Sequence, residues 1–159
     1  MLRTTLLFFL GLGLFTAVAV AAEQTPWGRA EAASASYQPM KVVYDVTTGD
    51  AAEMALILDR VSTLSAITGA DPFDQSIVLV IHGDAIKFFA VRNFAEYEAL
   101  QRRAQSLTVG DVIQIRLCQM AARGQGFEPE DIHGFVDMVP MGDAEIVRLQ
   151  VEEGHAYMH

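Results

Sequence analysis

The sequence predicts an α/β domain built on a mainly parallel sheet with helices on both faces. Three observations carry this. From Lys41 onward, β-branched apolar runs alternate with stretches whose apolar residues recur at helical spacing. The run Ile77 to Ile81 is continuously apolar, which suits a strand buried on both faces. Gly-Asp pairs at 49–50, 83–84 and 110–111 punctuate the chain between these segments.

The elements follow in order. "KVVYDVTT", from Lys41, is β-branched and aromatic and reads as the first strand. Asp50 is placed to cap the next helix, with Glu53 three residues on as in a capping box. Met54, Ile57, Leu58, Val61, Leu64 and Ile67 then recur at helical spacing, and Gly69 stops the helix. "SIVLVIH" is the second strand. Ala85 to Ala90 reads as a short helical turn, and Asn93 as the cap of a second helix carrying Phe94, Tyr97, Leu100, Ala104 and Leu107 on one face. "VIQIRLC" is the third strand, followed by a short helix from Gln119 to Arg123 and a loop from Gly124 to Asp131. "GFVDMVP" reads as a fourth strand, Asp143 to Glu153 as a last helix closed by Gly154, and "HAYMH" as a final short strand.

The residues before Lys41 are of another kind. Residues 1–22 start with a positive charge at Arg3, continue through an apolar stretch and end in small residues, the layout of a secretory signal peptide cut after Ala22. The alternative is an uncleaved anchor, but the apolar stretch is short against the roughly 20 residues that a spanning helix needs. Residues 23–40, rich in Ala and Ser, read as a flexible lead-in anchored at Trp27 or Tyr37, and residues 41–159 as one domain. The mature protein is therefore expected in the periplasm or outside the cell, with no stable membrane anchor.

The chain of 159 residues carries a formal net charge of −9 and no basic run. Such a surface repels phosphate backbones, so nucleic acid is not an expected partner. It has a single cysteine, so no internal disulfide can form. A lone cysteine in an exported protein suggests a reactive thiol or an intermolecular bond, or else a small buried hydrophobe.

In open parallel sheets ligands gather at the carboxyl ends of the strands. Topology therefore sends His82, Gly83 and Asp84 after the second strand, and Cys118 and Gln119 after the third, to one edge. Cys118 also opens a short helix, where backbone N–H groups favour an anion, and Arg116 and Arg123 lie close in sequence. Cys118 is thus a candidate nucleophile or sulfur carrier, against the alternative of an inert packed thiol. His82 is a candidate thiol-orienting partner, or simply a histidine bonded to a loop. His82, Cys118 and His133 lack zinc-finger spacing, no G-x-G-x-x-G follows the first strand, and no G-x-S-x-G occurs, so no metal or cofactor is expected. Met138 and Met141 read as core or interface filler.

Several segments together carry a resemblance. "VLVIHGDAIKFF" and "IRLCQMAARGQGFEPEDIHGFVDMVPMGDAEIVRLQVEEGHAYM" resemble the DsrE/DsrF-like family, in particular its small exported members with a single cysteine. The likeness runs from about Lys41 to Met158. It implies a flavodoxin-like sheet of five parallel strands and assembly as a homo-oligomer, trimeric or hexameric, for which apolar residues at ambiguous positions such as Phe88, Phe89 and Phe94 are candidate contacts. It also implies, for Cys118 alone, the persulfide-carrying role of the family's sulfur-relay branch, with donor and acceptor proteins as partners. The competing expectation is a noncatalytic module that binds a small ligand or partner at the sheet edge. A thiol redox sensor is a third. A conventional enzyme active site is not evident.

Overall fold

The computed structural model describes residues 27–159. The signal-peptide expectation for residues 1–22 lies outside the described residues. Residues 27–34 carry no regular secondary structure. Trp27 and Tyr37 are exposed.

One compact unit spans Ala35–His159. Its elements are β1 (Lys41–Val46), α1 (Ala51–Ile67), β2 (Ser76–Ile81), α2 (Phe94–Leu107), β3 (Ile113–Cys118), α3 (Gln119–Gly124), β4 (Asp137–Val139), α4 (Gly142–Glu153) and β5 (Ala156–Met158). All five strands form one sheet in the order β4-β3-β2-β1-β5, and every pairing is parallel. This is a flavodoxin-like α/β arrangement.

Strand alternation sorts the side chains onto two faces. Val42, Tyr44, Val46, Ile77, Leu79, Ile81, Ile113, Ile115 and Leu117 pack on one face with Met54, Leu58 and Val61 of α1 and Ala104 of α2. Val43, Val78 and Val80 pack on the other with Ile146 and Leu149 of α4. Helices therefore cover both faces, and β2 is apolar from Ile77 to Ile81 because both its faces are buried there.

Local chemistry sets the helix ends. The Asp50 carboxylate accepts the backbone N–H groups of Ala52 and Glu53, at 2.7 and 3.0 Å, and so caps α1. Only half of the expected capping box forms, because the Glu53 carboxylate takes the Thr48 hydroxyl instead, at 2.5 Å. Asn93 does not cap α2: its side-chain amide donates to the Lys87 carbonyl at 2.9 Å and closes the preceding 3-10 turns. The fourth strand is shorter than "GFVDMVP" suggests, only Asp137–Val139, because it is an edge strand hydrogen-bonded to β3 alone. Phe88 and Phe89, candidates for a subunit contact, are instead fully buried in the core.

The connections place the site. The chain leaves β1, β2 and β3 toward the face of α1: Met54, Phe88 and Ala122, which follow those strands, all belong to that core. It leaves β4 toward the opposite face, where α4 packs and returns the chain to β5. Adjacent carboxyl ends thus diverge between β3 and β4, the kind of position at which open α/β sheets bind ligands.

Candidate functional site

Cys118 is the last residue of β3 and pairs with Val139 of β4, so it stands at this divergence. It is also the N-cap of α3. Its Sγ accepts the backbone N–H of Ala121 at 3.4 Å. The thiol is free but covered: Cys118 is 6% exposed, not open at the rim as its strand-end position suggests. Packing from the next strand's helix explains part of the cover. A Cβ on Gly142, the first residue of α4, would lie 3.2 Å from Cys118 Cβ, 3.3 Å from Val80 Cγ1 and 3.7 Å from His82 Cγ. Glycine at 142 lets α4 begin directly against the sheet edge, and that backbone roofs the cysteine.

His82 follows β2 by one residue. Ile81 pairs with Leu117, so the next positions, His82 and Cys118, lie side by side on neighbouring strands about 4.8 Å apart in the usual sheet spacing. Both fall on the α4 face, the face of Val78 and Val80. The expected pairing of His82 with Cys118 at one edge is therefore present in the backbone. Gly83, with φ of 56°, turns the chain away immediately after His82, a conformation that glycine adopts without strain.

The His82 ring is engaged on its other side. His82 Nε2 lies 2.5 Å from Asp45 Oδ1. Asp45 Oδ2 in turn accepts the Tyr157 hydroxyl at 2.7 Å. That bond is the main reason the Tyr157 phenol is held above the usual tyrosine range, with smaller contributions from desolvation and the carboxylate charge. The sequence does not single out Asp45 or Tyr157. The one signal is that Asp45 is the sole acidic residue in β1, on the alternation that also carries Val43 to the α4 face. The 112-residue separation of Tyr157 from Asp45 leaves no local trace.

The two arginines near Cys118 do other work. Arg116 shares the α4 face but forms a half-buried ion pair with Glu145 of α4 and donates to Gln114 Oε1 at 2.7 Å. Arg148, hydrogen-bonded to the Glu145 carboxyl, is the chief reason this group sits below the usual glutamate range; Arg116 adds to the effect, and desolvation opposes both. Arg123 pairs with Glu128 at the surface, 3.3 Å away. Positive charge at this edge is thus spent on carboxylates rather than aimed at the thiol.

Two other histidines, His133 and His155, are tied into the fold by hydrogen bonds. His133 Nε2 meets Gln101 Oε1 at 2.7 Å, and its ring stacks on Phe135. His155 is buried, bonded through Nδ1 to the Leu149 carbonyl and through Nε2 to Ser76 Oγ at the opposite end of β2. Among the described residues no cluster of three or more His, Cys, Asp or Glu side chains is arranged to hold a metal ion. No helix among them is long and apolar enough to cross a membrane. Met138 packs against the core, whereas Met141 is partly exposed.

With this geometry in place, the sequence relationships acquire meaning. The model of the DsrE/DsrF-like family matches residues 40–159, including all five strands and Cys118. The chain belongs to the DsrE/DsrF-like family. A solved structure of a protein of unknown function from Methanobacterium thermoautotrophicum has the same fold, with a TM-score of 0.59 and 24% identity, covering 75% of this chain and 97% of that one. No curated protein sequence matches significantly. A DsrE/DsrF-like family member is thus linked in general terms to sulfur relay, and the match spans the segment that carries its lone cysteine.

Proposed function

We propose that this DsrE/DsrF-like protein carries sulfane sulfur as a persulfide on Cys118. The observation that supports this most is the placement of the single thiol at the divergence of β3 and β4, its Sγ receiving a backbone N–H from Ala121. The backbone N–H holds the sulfur at a fixed place at the strand end, and the deprotonated sulfur of a cysteine is the nucleophile in sulfur exchange. The Cys118 sulfur attacks the outer sulfur of a donor persulfide R–S–SH. The donor S–S bond breaks, the new S–S bond forms on Cys118, and R–S⁻ leaves to take up the proton from Cys118. One sulfur atom passes from the donor to Cys118, and nothing is oxidised or reduced overall.

The test is direct. The protein is incubated with a low-molecular-weight persulfide and weighed intact, beside Cys118→Ser. The expected result is a mass gain of one sulfur atom on the native chain, removed by a reducing thiol and absent in the variant. An unchanged native mass contradicts the proposal.

A second reading draws on one specific observation, the 6% exposure of Cys118. In it the thiol is packing, and the sheet edge holds a small ligand or a partner. Cys118→Ser then leaves assembly and binding untouched. Under either reading we propose export after cleavage at Ala22 and assembly into a homo-oligomer. Val147 and Val151, one turn apart on α4, are exposed apolar residues available for such contacts.

A further inference from the structure

We infer that Asp45 and Tyr157 are positioning residues that fix the proton arrangement of His82 so that His82 serves Cys118 as its proton acceptor. This inference deepens the sulfur-transfer reading and rests on it. The argument begins at the carboxylate. Asp45 receives a hydrogen bond on each oxygen: Tyr157 O–H donates to Oδ2 at 2.7 Å, and His82 Nε2 sits at Oδ1 at 2.5 Å. An ionised carboxylate only accepts, so the proton of that second bond belongs to Nε2. The neutral ring then carries its lone pair on Nδ1. No hydrogen-bond partner for Nδ1 is found among the described residues.

The His82 ring and the Cys118 thiol come from adjacent strand ends, with no hydrogen bond between them in this structure. His82 and Cys118 occupy neighbouring strand ends on the α4 face. Both close in on the same point beside Gly142: a Cβ built there would lie 3.7 Å from His82 Cγ and 3.2 Å from Cys118 Cβ. The parts form a chain from β5 through β1 and β2 to β3: phenol, carboxylate, imidazole, thiol. Strand order β3-β2-β1-β5 puts those four strands next to one another, although their residues are far apart in sequence.

Each group has a stated task. His82 Nδ1 takes the Cys118 S–H proton as the sulfur attacks the donor persulfide. The resulting imidazolium stays hydrogen-bonded to the Asp45 carboxylate, which balances its charge. As the donor S–S bond breaks, the proton passes from Nδ1 to the departing R–S⁻. Tyr157 touches neither sulfur nor imidazole. It holds the second carboxylate oxygen and so keeps the carboxylate from turning out of the ring plane. A carboxylate that orients a histidine tautomer without itself taking the proton has the same logic as the buried acid of hydrolase triads.

The experiment compares native protein with Asp45→Asn and Tyr157→Phe, both checked for native circular dichroism. Two quantities are read. One is the tautomer of His82 from ring nitrogen-15 chemical shifts. The other is the rate at which Cys118 is alkylated by iodoacetamide at neutral pH. The native ring is expected in the Nε2–H form. Asp45→Asn is expected to shift the ring toward Nδ1–H and to slow alkylation by about tenfold or more, a part of the roughly 10²–10⁴-fold that a positioned general base supplies. Tyr157→Phe is expected to act in the same direction but more weakly. Unchanged ring shifts and alkylation in a folded Asp45→Asn protein overturn the inference. The two layers separate cleanly. If the native chain accepts no sulfur but both readouts still respond to Asp45→Asn, positioning stands and the carrier reading falls. If the native chain loads sulfur and Asp45→Asn loads equally fast, the carrier reading stands and positioning falls.

Discussion

Single residues in this protein are read best through what touches them. His155 shows how burial alone sets a titration. Its imidazole is held below the ordinary histidine value of 6.5, chiefly by desolvation, while its bond to Leu149 opposes the shift. The unfolded chain therefore binds a proton near pH 6.5 that the folded chain refuses until lower pH. The sign follows: this residue's contribution is fully present above the unfolded value and is lost as pH falls through the lowered folded value. Urea unfolding above and below that window is expected to show lower stability on the acid side. His155→Gln is expected to flatten part of that slope. An unchanged slope in the variant means that another group carries the dependence. The candidate pair His82 and Cys118 was legible at this scale, because both are polar residues that directly follow apolar runs. Asp45 and Tyr157 were not. Their roles arise from a bond between β1 and β5, and no sequence pattern encodes which phenol meets which carboxylate.

At the scale of elements, the first helix, the parallel strands and the last helix could be read from periodicity and turn residues. Their ends were less legible. Asn93 has the chemistry of a cap but serves the turn before it, and Glu53 prefers the Thr48 hydroxyl to the backbone at Asp50. These are choices between nearby hydrogen bonds of similar worth, which local sequence does not rank. The approach of α4 to the sheet is a sharper case. Gly142→Ala adds a methyl group 3.2 Å from Cys118 Cβ and 3.3 Å from Val80 Cγ1. Neither neighbour yields cheaply: one is fixed to the backbone, and the other belongs to a β-branched side chain with a stiff rotamer. Alanine ordinarily gains up to about 1 kcal/mol over glycine inside a helix. Overpacking costs about 1–3 kcal/mol and outweighs that gain. Denaturant melts of Gly142→Ala are expected to show net destabilisation together with altered Cys118 alkylation. A stabilised variant with native thiol chemistry would mean that α4 does not roof the cysteine.

At the scale of the whole molecule, strand order makes the site. Three connections pass over one face and the fourth over the other, so the carboxyl ends of β3 and β4 part where Cys118 ends its strand. The alternation of strands and helices gave the class of fold in advance, but only the observed order locates the divergence. Burial was the least legible property. Phe88 and Phe89 looked available for subunit contact and lie in the core, while Cys118 looked open and is covered. The proposed oligomer must therefore be built from other surface, such as the exposed valines of α4. Sedimentation at micromolar concentration is expected to show a species heavier than one chain, and a monomer there refutes the assembly. The central claim, a covered thiol that nevertheless exchanges sulfur, is tested most directly on one peptide. Folded protein is treated with a persulfide donor, alkylated and digested, and the fragment containing Cys118 is weighed. The account predicts an alkylated persulfide on that fragment, formed without unfolding. A fragment carrying only alkylated thiol, or one modified only after denaturation, contradicts it.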